Sequence, residues 1–219
     1  MKKHNVLVVV AHCDDELLGA GGYIDKMIAA GNQVFVCCMT SYSDVREEDI
    51  DSKMRKLHKE IGIAKTYIAP YGASAISNVA HLDKVKFIEG VILETKCDVV
   101  VTHSDLDLHE DHKEVSQLTM EAVRIYQRKP ETNRLKKVMM MEIPCSGLWG
   151  AERFNPNMFV EVDEESIKRK VERVSVYENV IRECPHPRSI ENITALARVR
   201  GAMCGVKFAE GFRIVMEIE

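Results

Sequence analysis

Short, continuously apolar runs alternate with amphipathic stretches along the first two thirds of the chain. Residues 5–11, NVLVVVA, contain no polar residue after Asn5 and are rich in valine. A strand that shows one face to water alternates apolar and polar positions, so an unbroken run predicts a strand buried on both faces. QVFVCCMT at 33–40 repeats the pattern, TYIAP at 66–70 is a shorter version, and CDVVVTH at 97–103 and KVMMMEI at 137–143 complete a set of five. Cys37 and Cys38 are neighbours in the second run and are expected to face opposite sides of the sheet.

Helical periods lie between these runs. Residues 15–31 read as a helix ending at Gly31, and the charged segment 44–63 reads as a loop followed by a helix. Val85, Ile88, Ile92 and Thr95 mark one face of a helix over 83–95, and Val115, Leu118, Ala122 and Ile125 one face of a helix over 111–127. Strands alternating with helices predict a Rossmann-like α/β fold, with a mostly parallel sheet covered by helices on both faces. The second half is less regular. Residues 146–163 read as loop, followed by a helix capped by Asp163 with Ile167, Val171, Val174 and Ile181 on its buried face. Two prolines in CPHPRS break the chain before a helix over about 189–203, and the last stretch, from Gly205, reads as extended. No linker divides the sequence, so residues 1–219 are expected to form a single domain.

Composition adds exclusions. The 219 residues are 46% hydrophobic and 29% charged with a formal net charge of −4, which argues against broad binding to nucleic acid or an anionic membrane. No apolar run approaches membrane-spanning length. The N-terminal apolar run is short and ends in acids, as a first strand does and a signal peptide does not. Seven cysteines without a CxxC pair point to reduced thiols, mostly buried, in a cytoplasmic protein.

Chemistry concentrates after two of the buried runs. The first ends in His12-Cys13-Asp14-Asp15-Glu16, and the fourth is followed by SDLDLHEDHKEV at 104–115. Adjacent acids repel one another and resist burial, and a bound cation offsets that cost. Acids opening a helix are also favourable without a metal, and two histidines three apart are a weak signal alone. Both segments, however, follow strands whose carboxyl ends line the ligand crevice of a parallel sheet. A catalytic zinc commonly keeps three protein ligands from His and carboxylate plus an open position. The residues by themselves thus indicate a metal hydrolase whose reaction stays open. A phosphate-binding module is disfavoured: Gly19, Gly21 and Gly22 come late, inside the helix, and Asp14, Asp15 and Glu16 would repel phosphate.

AHCDDE at 11–16 resembles the AHPDDE motif of the PIG-L/LmbE-like deacetylases, which remove acetyl groups from N-acetylglucosamine-type sugars. THSDLDLHEDHKEV at 102–115 resembles the family's second motif, usually ending HPDH, while HPRSIENITALARVRG at 186–201 and FAEGF at 208–212 resemble its C-terminal signatures. The resemblance implies His12, Asp15 and His112 as zinc ligands, Asp14 as general base, and His109, as imidazolium, as the group that stabilises the oxyanion or protonates the leaving amine. It places Asp111 beside His109 as an orienting carboxylate. Two histidines and one aspartate also suit ferrous iron or another divalent ion.

Cys13 and Glu110 stand where the family usually has proline; the thiol is expected to be a spectator. The family often has a sugar-holding arginine after the second strand, which Arg46 or Arg55 matches only loosely. Trp149 could stack on a sugar or pack its loop, and Arg188 could bind an anionic group or form a structural ion pair. His4, His58, His81, His103 and His186 belong to no constellation and are expected to be ordinary. The implied activity is zinc-dependent removal of an N-acetyl group from a small-molecule sugar or sugar conjugate, releasing acetate, in an enzyme that could form a homo-oligomer. A metal-dependent amidase on a non-sugar substrate and a non-catalytic relative remain as alternatives.

Overall fold

A computed structural model describes residues 3–41, 49–72, 76–129 and 134–219. The elements run β1 (Asn5–Val10), α1 (Asp15–Ala29), β2 (Gln33–Cys38), α2 (Ile50–Ile61), β3 (Lys65–Ile68), α3 (His81–Thr95), β4 (Val99–His103), α4 (Glu110–Gln127), β5 (Lys137–Met141), β6 (Met158–Glu161), α5 (Glu164–Val174), α6 (Ile190–Cys204) and β7 (Ala209–Glu217). They form a seven-stranded sheet of order β3-β2-β1-β4-β5-β7-β6. The first five strands in that order are parallel; β7 runs antiparallel to both β5 and β6.

The continuous apolar runs are buried on both faces. Val6, Val8 and Val10 of β1 point into one core with Leu17 and Ile24 of α1, Met54 of α2 and Val171 of α5. Leu7 and Val9 point into the other, with Val85 and Ile88 of α3 and Leu118 and Ala122 of α4. Cys38 belongs to the first core and Cys37 to the second, as the period of two requires. Each such side chain contributes about 1.5–3 kcal/mol by leaving water. No helix among the described residues is long and apolar enough to cross a membrane. All seven cysteines are free; four are buried, while Cys184 and Cys204 are exposed.

The structure departs from the sequence expectations in the second half. Residues 158–161, expected as loop, form edge strand β6, which pairs only with β7. An edge strand is paired along one side and needs no alternating pattern of its own. Asp163 does cap α5, accepting a hydrogen bond from Ser166 N–H at 2.7 Å. That helix ends at Val174, however, so Ile181 lies beyond it; Asn179, in the left-handed region at φ 60°, sits in the loop that follows.

Helix α1 is broken at Ala20, whose φ of −137° is not helical. The break is capped from the far end of the chain. Glu210 of β7 accepts hydrogen bonds from Gly22 N–H and Tyr23 N–H, both at 2.8 Å, while Lys170 of α5 pairs with Glu210 at 2.6 Å and donates to the Leu18 carbonyl at 3.0 Å. Gly22 is required there, because a Cβ would meet Val162 at 2.5 Å and the Glu210 carboxylate at 3.1 Å. Glu210→Ala strips two buried amides of their acceptor and a half-buried ammonium of its ion pair. Breaking such a pair costs about 3–5 kcal/mol, a loss that urea denaturation will read as a lower midpoint; an unchanged midpoint would show that the cap is dispensable.

Candidate metal centre

Strands β2 and β3 lie to one side of β1, and β5 to the far side of β4, so the strand order reverses between β1 and β4. A crevice opens at the carboxyl ends of strands at such a point. The turn after β1 carries His12, Asp14 and Asp15, and the segment after β4 carries Asp107, His109, Asp111 and His112. Two stretches about a hundred residues apart in sequence thereby meet.

Three donor atoms form a nearly equilateral triangle. His12 Nδ1 lies 3.2 Å from Asp15 Oδ2, His112 Nε2 lies 3.3 Å from the same oxygen, and the two ring nitrogens are 3.3 Å apart. A tetrahedral ion with bonds of about 2.0–2.1 Å sets its ligand atoms about 3.3–3.4 Å apart. The triangle therefore matches one face of such a polyhedron. His12 and Asp15 are brought within reach by the local turn, in which His12 N–H also donates to Asp15 Oδ2 at 2.9 Å.

Carboxylates behind the rings orient them. Asp111 Oδ2 lies 3.0 Å from His12 Nε2, and Asp107 Oδ2 lies 3.0 Å from His112 Nδ1. Each carboxylate faces the outer ring nitrogen and would hold a proton there when the inner nitrogen binds an ion. Asp107 Oδ1 also accepts a hydrogen bond from His109 N–H at 2.9 Å, which ties the start of α4 to the same residue. The expected pairing of Asp111 with His109 is not observed; Asp111 orients His12 instead. Asp107 carried no role in the sequence reading, although it lies five residues before His112 in the same acid-rich segment.

Electrostatics describe a site that demands positive charge. Burial alone would raise Asp15, but the charges of His112 and His103 and hydrogen bonds from His112 and His12 hold its carboxyl well below the usual range. Burial disfavours a charged His12, yet hydrogen bonds to Asp111 and Asp15 and the acidic neighbours carry it up to about 10. The same opposition, with Asp15 and Asp107 outweighing burial, takes His112 up to about 9. Asp14 is pushed up to about 7 by burial and by the charge of Asp15, against Arg188 and His12.

His109 stacks on His112 with ring centroids 4.5 Å apart and meets His12 edge-on at 4.8 Å. Burial and these two rings lower its pKa, against the raising effect of Asp111 and Asp15. It is a further donor within reach of His12 and His112. His103, expected to be ordinary, is fully buried behind the site, stacked 4.1 Å from His112. Its Nε2 accepts a hydrogen bond from Ala11 N–H at 2.9 Å, which leaves that nitrogen no lone pair for a metal. His58, also expected to be ordinary, is buried against Glu16 at 2.9 Å and fixes the last acid of the HCDDE turn. Burial and the surrounding acids push the Cys13 thiol up.

An open cavity of about 270 Å³ adjoins the triangle, lined on one side by His12, Asp14, Asp15, His109 and His112. Arg188 reaches it too, with Nη1 3.2 Å from Asp14 Oδ2. Trp149 is not part of the lining; it ends a short 3-10 turn (Ser146–Leu148) and is 72% exposed. Arg55 donates to the Thr66 carbonyl at 2.9 Å. Arg46 lies outside the described residues.

Residues 7–123, which span β1 through most of α4, match the PIG-L family, described as GlcNAc-PI de-N-acetylase. The chain belongs to this family. It is 24% identical over 226 residues to diacetylchitobiose deacetylase of Thermococcus kodakarensis, covering 96% of the chain and 82% of that protein. The fold is shared with the conserved protein TT1542 of Thermus thermophilus, with a TM-score of 0.78, 21% identity, and 99% and 96% of the two chains covered. It is also shared with GalB, the 4-carboxy-2-hydroxymuconate hydratase of Pseudomonas putida KT2440, with a TM-score of 0.76, 20% identity, and 99% and 98% covered. One fold thus serves more than one reaction, and the site has to argue the chemistry.

Proposed function

We propose that the chain is a divalent-metal-dependent hydrolase that removes the N-acetyl group from an N-acetylglucosamine-type sugar or sugar conjugate, releasing acetate and a free amine. The observation that supports it most is the triangle of His12 Nδ1, Asp15 Oδ2 and His112 Nε2 beside Asp14, at the edge of an open cavity. On this reading those three residues hold the ion, zinc by preference and ferrous iron as the alternative. When bound, such an ion supplies Lewis acidity and makes water a nucleophile near neutral pH.

The chain's own groups do the remainder. Asp14 borders the cavity next to the triangle, and its carboxylate accepts the proton of the attacking water. Arg188, bonded to Asp14 Oδ2, fixes that carboxylate and leaves Oδ1 for the proton. His109, on the cavity side, donates an N–H to the acetamide oxygen as negative charge builds there. The proton held by Asp14 then passes to the amide nitrogen as the C–N bond breaks. His109 does not have to be an imidazolium for this sequence to balance. Arg188 is retained as a substrate-facing residue, with Arg46 and Trp149 as candidate sugar contacts. The free thiols suit a reducing, cytoplasmic setting.

Acetate release from N-acetylated sugars, assayed with added zinc or ferrous ion, tests the activity directly. Acetate release from simple non-sugar acetamides but not from sugars would favour the amidase reading. Positioning is tested separately. Asp107→Ala frees the His112 ring to rotate and is expected to lower metal affinity about 10–100-fold, read by competition with a chromophoric chelator. Unchanged affinity would reduce Asp107 to a brace for the start of α4.

A further inference from the structure

The turn after β1 is also held from within the core. Glu16, its third acid, neither belongs to the triangle nor lines the cavity. It is fully buried, and its Oε1 meets Nε2 of the buried His58 at 2.9 Å. His58 Nδ1 in turn lies 2.8 Å from the Thr66 hydroxyl of β3. Glu16 Oε2 has no hydrogen-bond partner among the described residues, so His58 is the side chain that holds the carboxylate.

The start of α1 has little else to fix its rotation. Asp14 at its N-cap makes no side-chain capping bond, and the helical backbone is interrupted at Ala20. Residues 15–19 therefore form little more than one turn, and a helical segment that short is not stable by itself. Successive helix residues point about 100° apart, so pinning Glu16 on one side sets where Asp15 points on the other. Helix α2 is a firm anchor for the pin. Asp49 caps its start, accepting Ser52 N–H at 2.9 Å, and Gly62, in the left-handed region at φ 96°, ends it and donates its N–H to the His58 carbonyl at 3.1 Å. Core packing alone does not call for the pair. Replacing buried ionisable partners by apolar residues of similar volume is often neutral or stabilising, whereas a buried polar pair can fix one arrangement of the elements it joins.

We propose that His58 and Glu16 are positioning residues for the metal centre: through their bond, α2 sets the rotation of the first turn of α1, and so the direction in which Asp15 faces the triangle and Asp14 the cavity. The inference rests on the metal-dependent reading and adds to it two residues that touch neither the ion nor the substrate.

Three variants separate positioning from packing. His58→Leu removes the bond and keeps most of the bulk. His58→Gln keeps an amide N–H near the place of Nε2. Glu16→Leu combined with His58→Leu makes the pair apolar. Zinc affinity is read by competition with a chromophoric chelator, ligand geometry by the visible absorption bands of the cobalt(II)-loaded protein, and stability by the urea midpoint. Outer partners of metal ligands are worth about 10–100-fold in affinity, so His58→Leu should lose at least about tenfold and shift the cobalt bands, while His58→Gln stays within about threefold of native. The double variant should recover the urea midpoint that His58→Leu loses, but neither the affinity nor the bands; a packing role would restore all three together. Native affinity with native cobalt bands in the double variant overturns the inference. Should the leucine variants not fold, His58→Asn, which keeps a polar group toward Thr66 but falls short of Glu16, takes their place with the same two outcomes. A native chain that binds neither zinc nor cobalt defeats the metal reading itself, and the inference with it.

Discussion

Asp14→Asn will yield a protein that loads its metal ion normally and deacetylates at least about a hundredfold more slowly, since a positioned general base contributes about 10²–10⁴-fold. The expectation follows from where Asp14 stands. It borders the triangle without supplying any of its three atoms, so an isosteric amide leaves His12, Asp15 and His112 in place. The amide cannot take a proton from water. It can still accept a hydrogen bond from Arg188 through its oxygen, so the loop carrying Arg188 is not released. Metal analysis beside initial rates of acetate release checks both halves. A variant that keeps native turnover would remove Asp14 from the mechanism; one that loses its metal would show that the charge of Asp14 helps hold the ion.

The second large effect is expected at Asp15. Its Oδ2 is the atom shared by two edges of the triangle, and the same oxygen accepts the His12 N–H. Asp15→Ala removes a ligand, the counter-charge of two buried imidazoles and the turn that places His12. Metal binding at a protein-built zinc site is worth about 10–16 kcal/mol in all. Losing one of three ligands should cost several kcal/mol, or at least about a hundredfold in affinity at 1.4 kcal/mol per decade. Elemental analysis of the purified variant should find the ion absent, with no acetate release. Chelator treatment of the native protein should reproduce the inactivity, and zinc or ferrous ion should restore it. A native protein that takes up neither ion after incubation would defeat the metal reading, leaving a non-catalytic relative as the better account.

Much of the architecture was legible because its signal is local. Continuous valine runs report burial on both faces, and β1, β2, β4 and β5 fall where those runs predict them. The crevice was legible as well, since both chemical segments follow such runs. Pairwise geometry was not. Whether Asp111 reaches His109 or His12 depends on the approach of α4 to the turn after β1, which no spacing encodes. Asp107 was overlooked among several acids because only the fold selects which of them faces His112. The stacking of His109 on His112 and its edge-on contact with His12 were likewise invisible, since those rings meet only in space. Edge strand β6 and the early end of α5 escaped for the same reason, being set by partners distant along the chain. Glu210 shows the limit most clearly: the FAEGF stretch was recognisable as a signature, but nothing in it says that its glutamate caps a break in α1.

That cap bears on the order in which the molecule is assembled. The half of α1 beyond Ala20 is capped at Gly22 by a carboxylate 188 residues further along the chain. Closing so long a loop is entropically costly and slow relative to local helix formation. During synthesis, β1 and the start of α1 emerge first, while β7 emerges last and inserts between β5 and β6. Until then the half of α1 beyond Ala20 lacks its cap, and the helix that follows the His12 turn is incompletely held. On the proposed metal reading, an ion would therefore arrive late, on a finished sheet, and would not be the nucleus around which the sheet forms.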